Sequence, residues 1–368
     1  MAIKEFSTAD LNTISRTNSV SNVLEKINGV TVGNAISTPA VAYSVRLLGS
    51  AVGISSYTGP AMRVRRDTAG GTGHDDEADI AFDTSLTDPT ISLDSAISNA
   101  SAGVTATTLG QFLNVGTVGG TTYTNPDSLT VTASCYVDTW YDQAGSNDAE
   151  QATQGNQPQI HDGTVNTDLI TENGKPAVEF LATSTTFLSY ADNTGLDSLR
   201  TGALSYIACA KLDTRQSWQQ IFGTSGSSTD GEGSLGLQFF SNTSNKFGPH
   251  NTFIAVTSVA TLTLTSETNR MLVGMYRNGA GSGGGNGATV TLHATDSSNN
   301  THTAAGTQVW TSQSGNNIYI GKQGDLSQTG NNSWVGTIQE IILWPVDQDD
   351  AGNRPAIETN INGFFGIY

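Results

Sequence analysis

Short runs of apolar and β-branched residues recur from Ala42 onward, and Gly, Asn, Asp or Ser bounds each of them. Such runs are typical of strands, and the bounding residues favour tight turns. Many short strands with this turn chemistry predict a mainly β fold built as a two-sheet antiparallel sandwich. The predicted strands lie in AYSVRLLGS, AMRVRRD, LTVTASCYVDTWYD, PAVEFLA, ALSYIACAKLD, QQIFGTS, SLGLQFFSN, TFIAVTS, RMLVGMYRNG, ATVTLHATD, NIYIGKQGD and TIQEIILWP.

The first residues, 1–38, do not share this pattern. Their apolar positions are too few and too widely spaced for an independent core, so we predict an N-terminal arm that docks on a partner, with a frayed terminus as the alternative. Residues 39–368 are then one sandwich domain. The apolar positions of the arm are Leu11, Ile14, Val20, Val23, Leu24 and Ile27.

The last residues predict a short helix that packs on the rim of the sandwich. Asn353 stands at the position of a cap and Pro355 lies in the first turn, where proline is tolerated. Ile357, Ile361 and Phe364 then share one face at helical spacing.

Composition narrows the classes of function. The chain has 368 residues, 41 of them Gly, and a formal net charge of −17. Such an excess of acidic residues disfavours a nucleic-acid surface, which needs lysines and arginines to neutralise phosphates. There is no apolar run of about 18 residues and no signal-peptide core, so we expect neither a membrane span nor secretion by a signal peptide.

One basic cluster stands out, at Arg63, Arg65 and Arg66. Strand alternation places Arg63 and Arg65 on one face, so we predict ion pairs with nearby carboxylates such as Asp67, Asp75 and Asp76. Asp75, Asp76 and Asp79 are also weak candidates for a calcium site, because carboxylates at the rim of a sandwich suit that ion. The order of acidic residues in a calcium-binding loop is absent, which favours a solvated acidic loop, and we expect no other cofactor.

The stretch TWYDQAGSNDAEQATQGNQPQIHDG, residues 139–163, combines aromatic rings with amides and carboxylates. We interpret it chiefly as a structural turn in which Asp142 accepts backbone N–H groups from residues 145–147. The alternative is a ligand site, because Trp140 and Tyr141 beside Asp142 are also suited to stacking on a sugar and hydrogen bonding to it.

Two cysteines, Cys135 and Cys209, lie in separate predicted strands and show no metal-ligand spacing. We predict buried free thiols rather than a disulfide framework.

The ordered combination of AYSVRLLGS, SYTGPAMRVRRD, DIAFD, TWYDQAGSNDAEQATQGNQPQI and WVGTIQEIILWP resembles the catalytic domain of α-L-arabinofuranosidase B enzymes. A similar module is found in virion proteins of tailed phages. The resemblance covers about residues 40–368 and is strongest over 42–163. It implies a concanavalin A-like or laminin G-like jelly roll.

The resemblance also implies where a catalytic pair would lie. Retaining glycosidases need two carboxyl groups about 5–5.5 Å apart. The position that matches the nucleophile is Gln238, which cannot become an anionic nucleophile, whereas Asp325 matches the acid. The adjacent cysteine pair of those enzymes is absent too, so hydrolase activity is not expected.

These observations predict a phage virion protein on the tail or the capsid surface, made in the host cytoplasm. Residues 1–38 would bind other virion proteins, and the sandwich would contact a host surface glycan through Trp140, Tyr141, Asp142, Gln238 and Asp325, or decorate the particle. We expect a homo-oligomer, with a trimer favoured. The alternative is an active glycoside hydrolase with Asp325 as acid and Glu232 as nucleophile.

Overall fold

The computed structural model describes residues 35–181, 186–191, 202–215, 219–224, 236–241, 244–249, 262–263, 269–279, 288–308, 317–322, 333–349 and 352–368. The fold is mainly β, as predicted. The strands of the first half are β1 Val41–Ser44, β2 Met62–Asp67, β3 Glu77–Ile80, β4 Ile97–Ser98, β5 Gly116–Val118, β6 Thr121–Tyr123, β7 Ser134–Trp140, β8 Ala149–Glu150, β9 Gln159–Asp162, β10 Thr171–Glu172, β11 Lys175–Pro176 and β12 Val178–Phe180.

The strands of the second half continue the same antiparallel pattern. They are β13 Leu188–Tyr190, β14 Leu204–Leu212, β15 Gln220–Thr224, β16 Gly236–Ser241, β17 Ser244–Pro249, β18 Leu262–Thr263, β19 Met271–Arg277, β20 Ala288–Asp296, β21 Thr301–Gln308, β22 Ile318–Ile320 and β23 Gly336–Trp344. All the predicted runs contain a strand except TFIAVTS, which lies outside the described residues.

Strand β7 is where the sheet divides into two layers. Its first residues, from Ser134 to Tyr136, pair with β9, whereas Thr139 and Trp140 pair with β8. From β9 the pairing continues through β12, β23, β14, β19 and β20 to β21. From β8 it continues through β13, β22, β15, β16 and β17 to β18. Strands β2, β3 and β4 extend the other edge of β7.

Aromatic side chains from the two layers meet between them. The rings of Tyr206 on β14 and Phe222 on β15 are 5.8 Å apart, and those of Tyr43 on β1 and Tyr190 on β13 are 6.1 Å apart. Gly321, with φ 80°, follows β22, and a Cβ there would collide with the Phe180 ring of the opposite layer. The predicted two-sheet antiparallel sandwich is therefore confirmed.

The predicted terminal helix is confirmed as α2, Arg354–Phe365, whose buried residues include Ile357, Ile361 and Phe364. Asn353 stands at the N-cap but makes no capping bond. Its backbone is helical rather than extended, and its amide nitrogen donates to Gln348 Oε1 at 2.8 Å. A shorter helix, α1 Leu109–Leu113, was not predicted. Among the described residues no helix has the length and apolar character to cross a membrane.

A buried ion pair joins α2 to the sandwich. Arg46 donates to Glu340 Oε2 at 2.7 Å and to Oε1 at 3.0 Å, and Ser44 Oγ donates to Glu340 Oε2 at 2.7 Å. The same guanidinium donates to Asn360 of α2 at 2.9 Å and lies 5.2 Å from the centre of the Phe364 ring. Strand β23, which carries Glu340, is buried along its whole length.

The predicted N-terminal arm lies almost wholly outside the described residues. The described chain begins at residue 35, and Ile36 already packs against the core. The arm and its partners therefore stay predictions.

Candidate functional site

The 139–163 stretch begins in the core. Trp140 has no exposed surface, its Nε1 donates to Ser44 O at 3.3 Å, and its ring lies 5.9 Å from that of Tyr43. Tyr141 is half-buried and its hydroxyl donates to Asp79 Oδ1 at 2.9 Å. A fully buried ring offers no face for a sugar to stack on, so the structural interpretation accounts for Trp140.

Asp142 organises the turn that follows. Its Oδ1 accepts the N–H groups of Ala42 and Ala144, at 2.8 and 2.9 Å, and its Oδ2 accepts that of Asn147 at 3.2 Å. The predicted hydrogen bond from a backbone N–H of residues 145–147 to Asp142 is thus confirmed, with Asn147 as the donor. Burial raises the pKa of Asp142, and these N–H groups oppose the rise. The carboxylate of Asp142 therefore stabilises this turn and its contact with β1.

The same stretch then forms one wall of an open cleft, here called the β8–β13 cleft. Its volume is about 760 Å³, within the usual range for ligand sites. Glu150 of β8, Ser189 of β13 and Tyr319 of β22 are neighbours in three adjacent strands, so the cleft lies on one face of this layer. The lining residues are Ser146, Asn147, Asp148, Glu150, Gln151, Ala152, Phe187, Ser189, Tyr190, Ala191 and Tyr319.

Aromatic rings form the apolar side of the cleft. Phe187 and Tyr319 are brought together by the pairing of β13 with β22, and their ring centres are 5.7 Å apart. The ammonium of Lys322 lies 4.7 Å from the centre of the Phe187 ring. Burial lowers the pKa of Lys322. Phe187 is only half-buried, so part of its ring is open to a ligand.

Carboxylates and amides form the polar side. Asp148 Oδ1 accepts the N–H of Asp142 at 2.9 Å, and burial raises the pKa of Asp148. Glu150 is exposed at the rim. No lysine or arginine is among the described residues that line the cleft. The arrangement suits a ligand that donates hydrogen bonds to carboxylates and lays an apolar face on a ring, as a sugar does.

The positions that match the catalytic pair of the resembling enzymes are only partly visible. Gln238 lies on β16 with its backbone opposite Gln220 of β15. Its side chain, and the whole of Asp325 and Glu232, lie outside what the structure describes. Their roles stay predictions.

The arginine cluster is confirmed as a set of ion pairs. Arg63 pairs with Asp79 at 3.1 Å, and Arg65 pairs with Asp75 at 2.7 Å. Arg66 lies 2.6 Å from Asp76, and 2.8 Å from Asp127. The three calcium candidates therefore each face a different arginine, and no three His, Cys, Asp or Glu side chains among the described residues are grouped as a metal site. Calcium binding stays an untested expectation.

Cys135 and Cys209 are both buried and free, as predicted. Burial raises the pKa of both thiols, which disfavours the reactive thiolate.

The residues chosen from the sequence in this stretch, Trp140, Tyr141 and Asp142, do not line the cleft. The first and last are buried, whereas the lining comes from Ser146, Asn147, Asp148, Glu150, Gln151 and Ala152. The role of the three chosen residues in binding stays a prediction. Sequence reasoning also missed Phe187 and Tyr319. Strand β22 lay in the predicted run NIYIGKQGD, but β13 lay in none of the predicted runs. The proximity of the two rings comes from long-range pairing, for which no local signal exists.

No family model and no curated protein matches the chain. A Trypanosoma rangeli sialidase in complex with 2,3-difluoro-KDN superposes with a TM-score of 0.38 at 11% identity, over 61% of this chain and 31% of the sialidase. The Ruminococcus gnavus IT-sialidase CBM40 bound to α2,3-sialyllactose gives 0.34 at 12% identity, over 49% of this chain and 95% of the module.

The PL-14 alginate lyase from Aplysia kurodai gives a TM-score of 0.30 at 8% identity, over 46% of this chain and 83% of the lyase. In the sialidase superposition above, this chain spans only about a third of the sialidase, 31% of its length. Scores this low carry no argument about chemistry, and the fold rests on the strand pairing described above. The resemblance to arabinofuranosidase B domains stays a prediction of the sequence.

Proposed function

We propose that the sandwich binds a saccharide in the β8–β13 cleft. The observation that carries the proposal is the lining of this cleft, in which Phe187 and Tyr319 supply aromatic rings while Asp148 and Glu150 supply carboxylates. Saccharide sites combine these two kinds of group because a sugar has apolar ring faces and a periphery of hydroxyls.

The setting we propose is the surface of a phage particle, on the tail or the capsid, where the cleft serves host adsorption or particle decoration. The support for this finer assignment is the resemblance of the chain to modules of phage virion proteins. A homotrimer anchored through residues 1–38 would present several clefts to one cell surface, which raises the overall affinity without any new contact.

Removal of the Phe187 ring should weaken saccharide binding about two- to tenfold, because an aromatic contact contributes about 0.5–1.5 kcal/mol. Phe187→Ala and the wild type would be compared on a glycan array and then by calorimetry with the glycans that bind. Val165→Ala is the control, because it truncates an apolar side chain that is 58% exposed and lies outside the cleft. Equal affinity of Phe187→Ala and the wild type would remove the cleft from the proposal.

The protein should not hydrolyse an aryl arabinofuranoside, because the position that matches the nucleophile is Gln238. Release of the coloured aglycone is the measurement. Turnover that is abolished by Asp325→Asn would instead establish the alternative, a glycoside hydrolase with Asp325 as its acid.

Removal of residues 1–34 should leave the melting temperature of the sandwich nearly unchanged and abolish incorporation into particles. The cut precedes Ile36, which packs on the core. Calorimetry measures the first effect, and complementation of a phage lacking this gene measures the second. Particles that still incorporate the shortened chain would show that the arm is not the anchor.

A further inference from the structure

A second, smaller cleft of about 350 Å³ is lined by the next residues of the turn that bounds the β8–β13 cleft. We call it the Arg65 cleft. It is lined by Arg65, His74, Tyr136, Gln154, Gly155 and Gln157 among others. None of these residues lines the first cleft.

One short turn is the shared wall of both clefts. Ala152 lines the first cleft and Gln154 lines the second, and two residues along a chain span at most about 7.6 Å. Residues 152–155 are all exposed, so this shared wall is a surface ridge between the clefts. A linear ligand that occupies both clefts has to cross this ridge.

Hydrogen bonds join the residues around the ridge to residues that line both clefts. Gln151 Nε2 donates to Phe187 O at 3.1 Å, and Phe187 N donates to Asn156 O at 3.0 Å. Gln157 Nε2 donates to Gln151 O at 2.9 Å, and its Oε1 accepts from Arg65 Nε at 2.8 Å. The wall of each cleft is thereby fixed to the same turn, so the spacing between the clefts is set by the fold.

The guanidinium of Arg65, the permanent positive charge of the Arg65 cleft, already has carboxylate partners within the protein. Arg65 pairs with Asp75 at 2.7 Å and lies 4.9 Å from the centre of the Tyr136 ring. His74 Nδ1 lies 3.1 Å from Asp67 Oδ1. A site whose charges already have partners suits a neutral polar ligand, and Tyr136 adds a half-buried ring like that of the first cleft.

We propose that the two clefts are consecutive subsites for one oligosaccharide, which crosses the ridge at residues 152–155. This inference rests on the proposed function. It adds that the ligand is a chain of several neutral sugars rather than a single terminal sugar.

The test is the dependence of affinity on chain length. Arabino-, xylo-, cello- and chito-oligosaccharides of one to six sugars would be titrated into the wild-type protein. In the series that binds, affinity should rise at least about tenfold once the chain is long enough to reach the second cleft. A plateau at the length that fills the first cleft would overturn the inference.

Gly155→Leu tests the crossing point. A Cβ at Gly155 meets nothing within 4 Å, and its φ lies outside the left-handed region, so the variant should fold while its side chain obstructs the ridge. We expect the affinity for long chains to fall to that for short chains. Gly49→Leu is the matched control, because Gly49 is equally open and lies in neither cleft.

His74→Ala is an independent test within the second cleft, because it leaves the ridge unchanged. It too should weaken only the long chains. Full affinity for long chains in both Gly155→Leu and His74→Ala would overturn the inference while leaving the proposed function intact. Failure of every series to bind the wild type would overturn both.

Discussion

Replacement of Glu340 by alanine should lower the free energy of unfolding by about 3–5 kcal/mol, because it leaves the guanidinium of Arg46 buried without its carboxylate. The side chains of Arg46 and Glu340 are only 9% and 1% exposed, and two hydrogen bonds join them. Chemical denaturation of the variant and the wild type measures the difference.

The double variant Arg46→Met and Glu340→Leu separates the cost of an unpaired charge from the value of the pair itself. Apolar residues of similar size often replace a buried pair with little loss, so the double variant should be more stable than Glu340→Ala alone. If the free energy of unfolding of Glu340→Ala lies within about 1 kcal/mol of the wild-type value, the prediction is contradicted, since surface pairs contribute no more than that.

Replacement of Trp140 by alanine should lower the free energy of unfolding by about 3–5 kcal/mol, because it removes a large ring from a closely packed interior. The ring is fully buried beside Tyr43, and its loss also leaves Ser44 O without the indole donor. The same denaturation experiment applies.

Trp140→Phe is the control, because it retains an aromatic ring in the core and should lose less stability. The stability of Trp140→Ala should then be compared with its affinity for the glycan. A Trp140→Ala protein as stable as the wild type, but without affinity for the glycan, would mean that the indole acts on the ligand and that its structural role is minor.

The longer strands were largely predictable because their signal is local, whereas most of the short ones, such as β8, β9 and β13, lay in no predicted strand. Apolar and β-branched residues between turn formers identified β14, β19 and β23 without knowledge of their partners. Strand β21, Thr301–Gln308, was missed because THTAAGTQ is polar and carries small residues at its centre. It is a strand because the whole length of β20 pairs with it.

The cleft was much less predictable than the fold. Asp142 could be read as a turn residue because its partners are close in sequence. Phe187 and Tyr319 are 132 positions apart, and only the register of β13 against β22 brings their rings together. A single sequence contains the strands but not this register, which depends on the packing of the complete sandwich.

The division of the sheet at β7 has a consequence for the thermodynamics of binding. Strand β8 is bonded on one side to β7 and on the other to β13, so the cleft residues next to it are fixed at the junction of both layers. A backbone held from two sides has little conformational freedom left to lose when a ligand arrives. For the proposed saccharide ligand, the protein's share of the entropic cost of association would therefore be small, and few contacts would be needed for a measurable affinity.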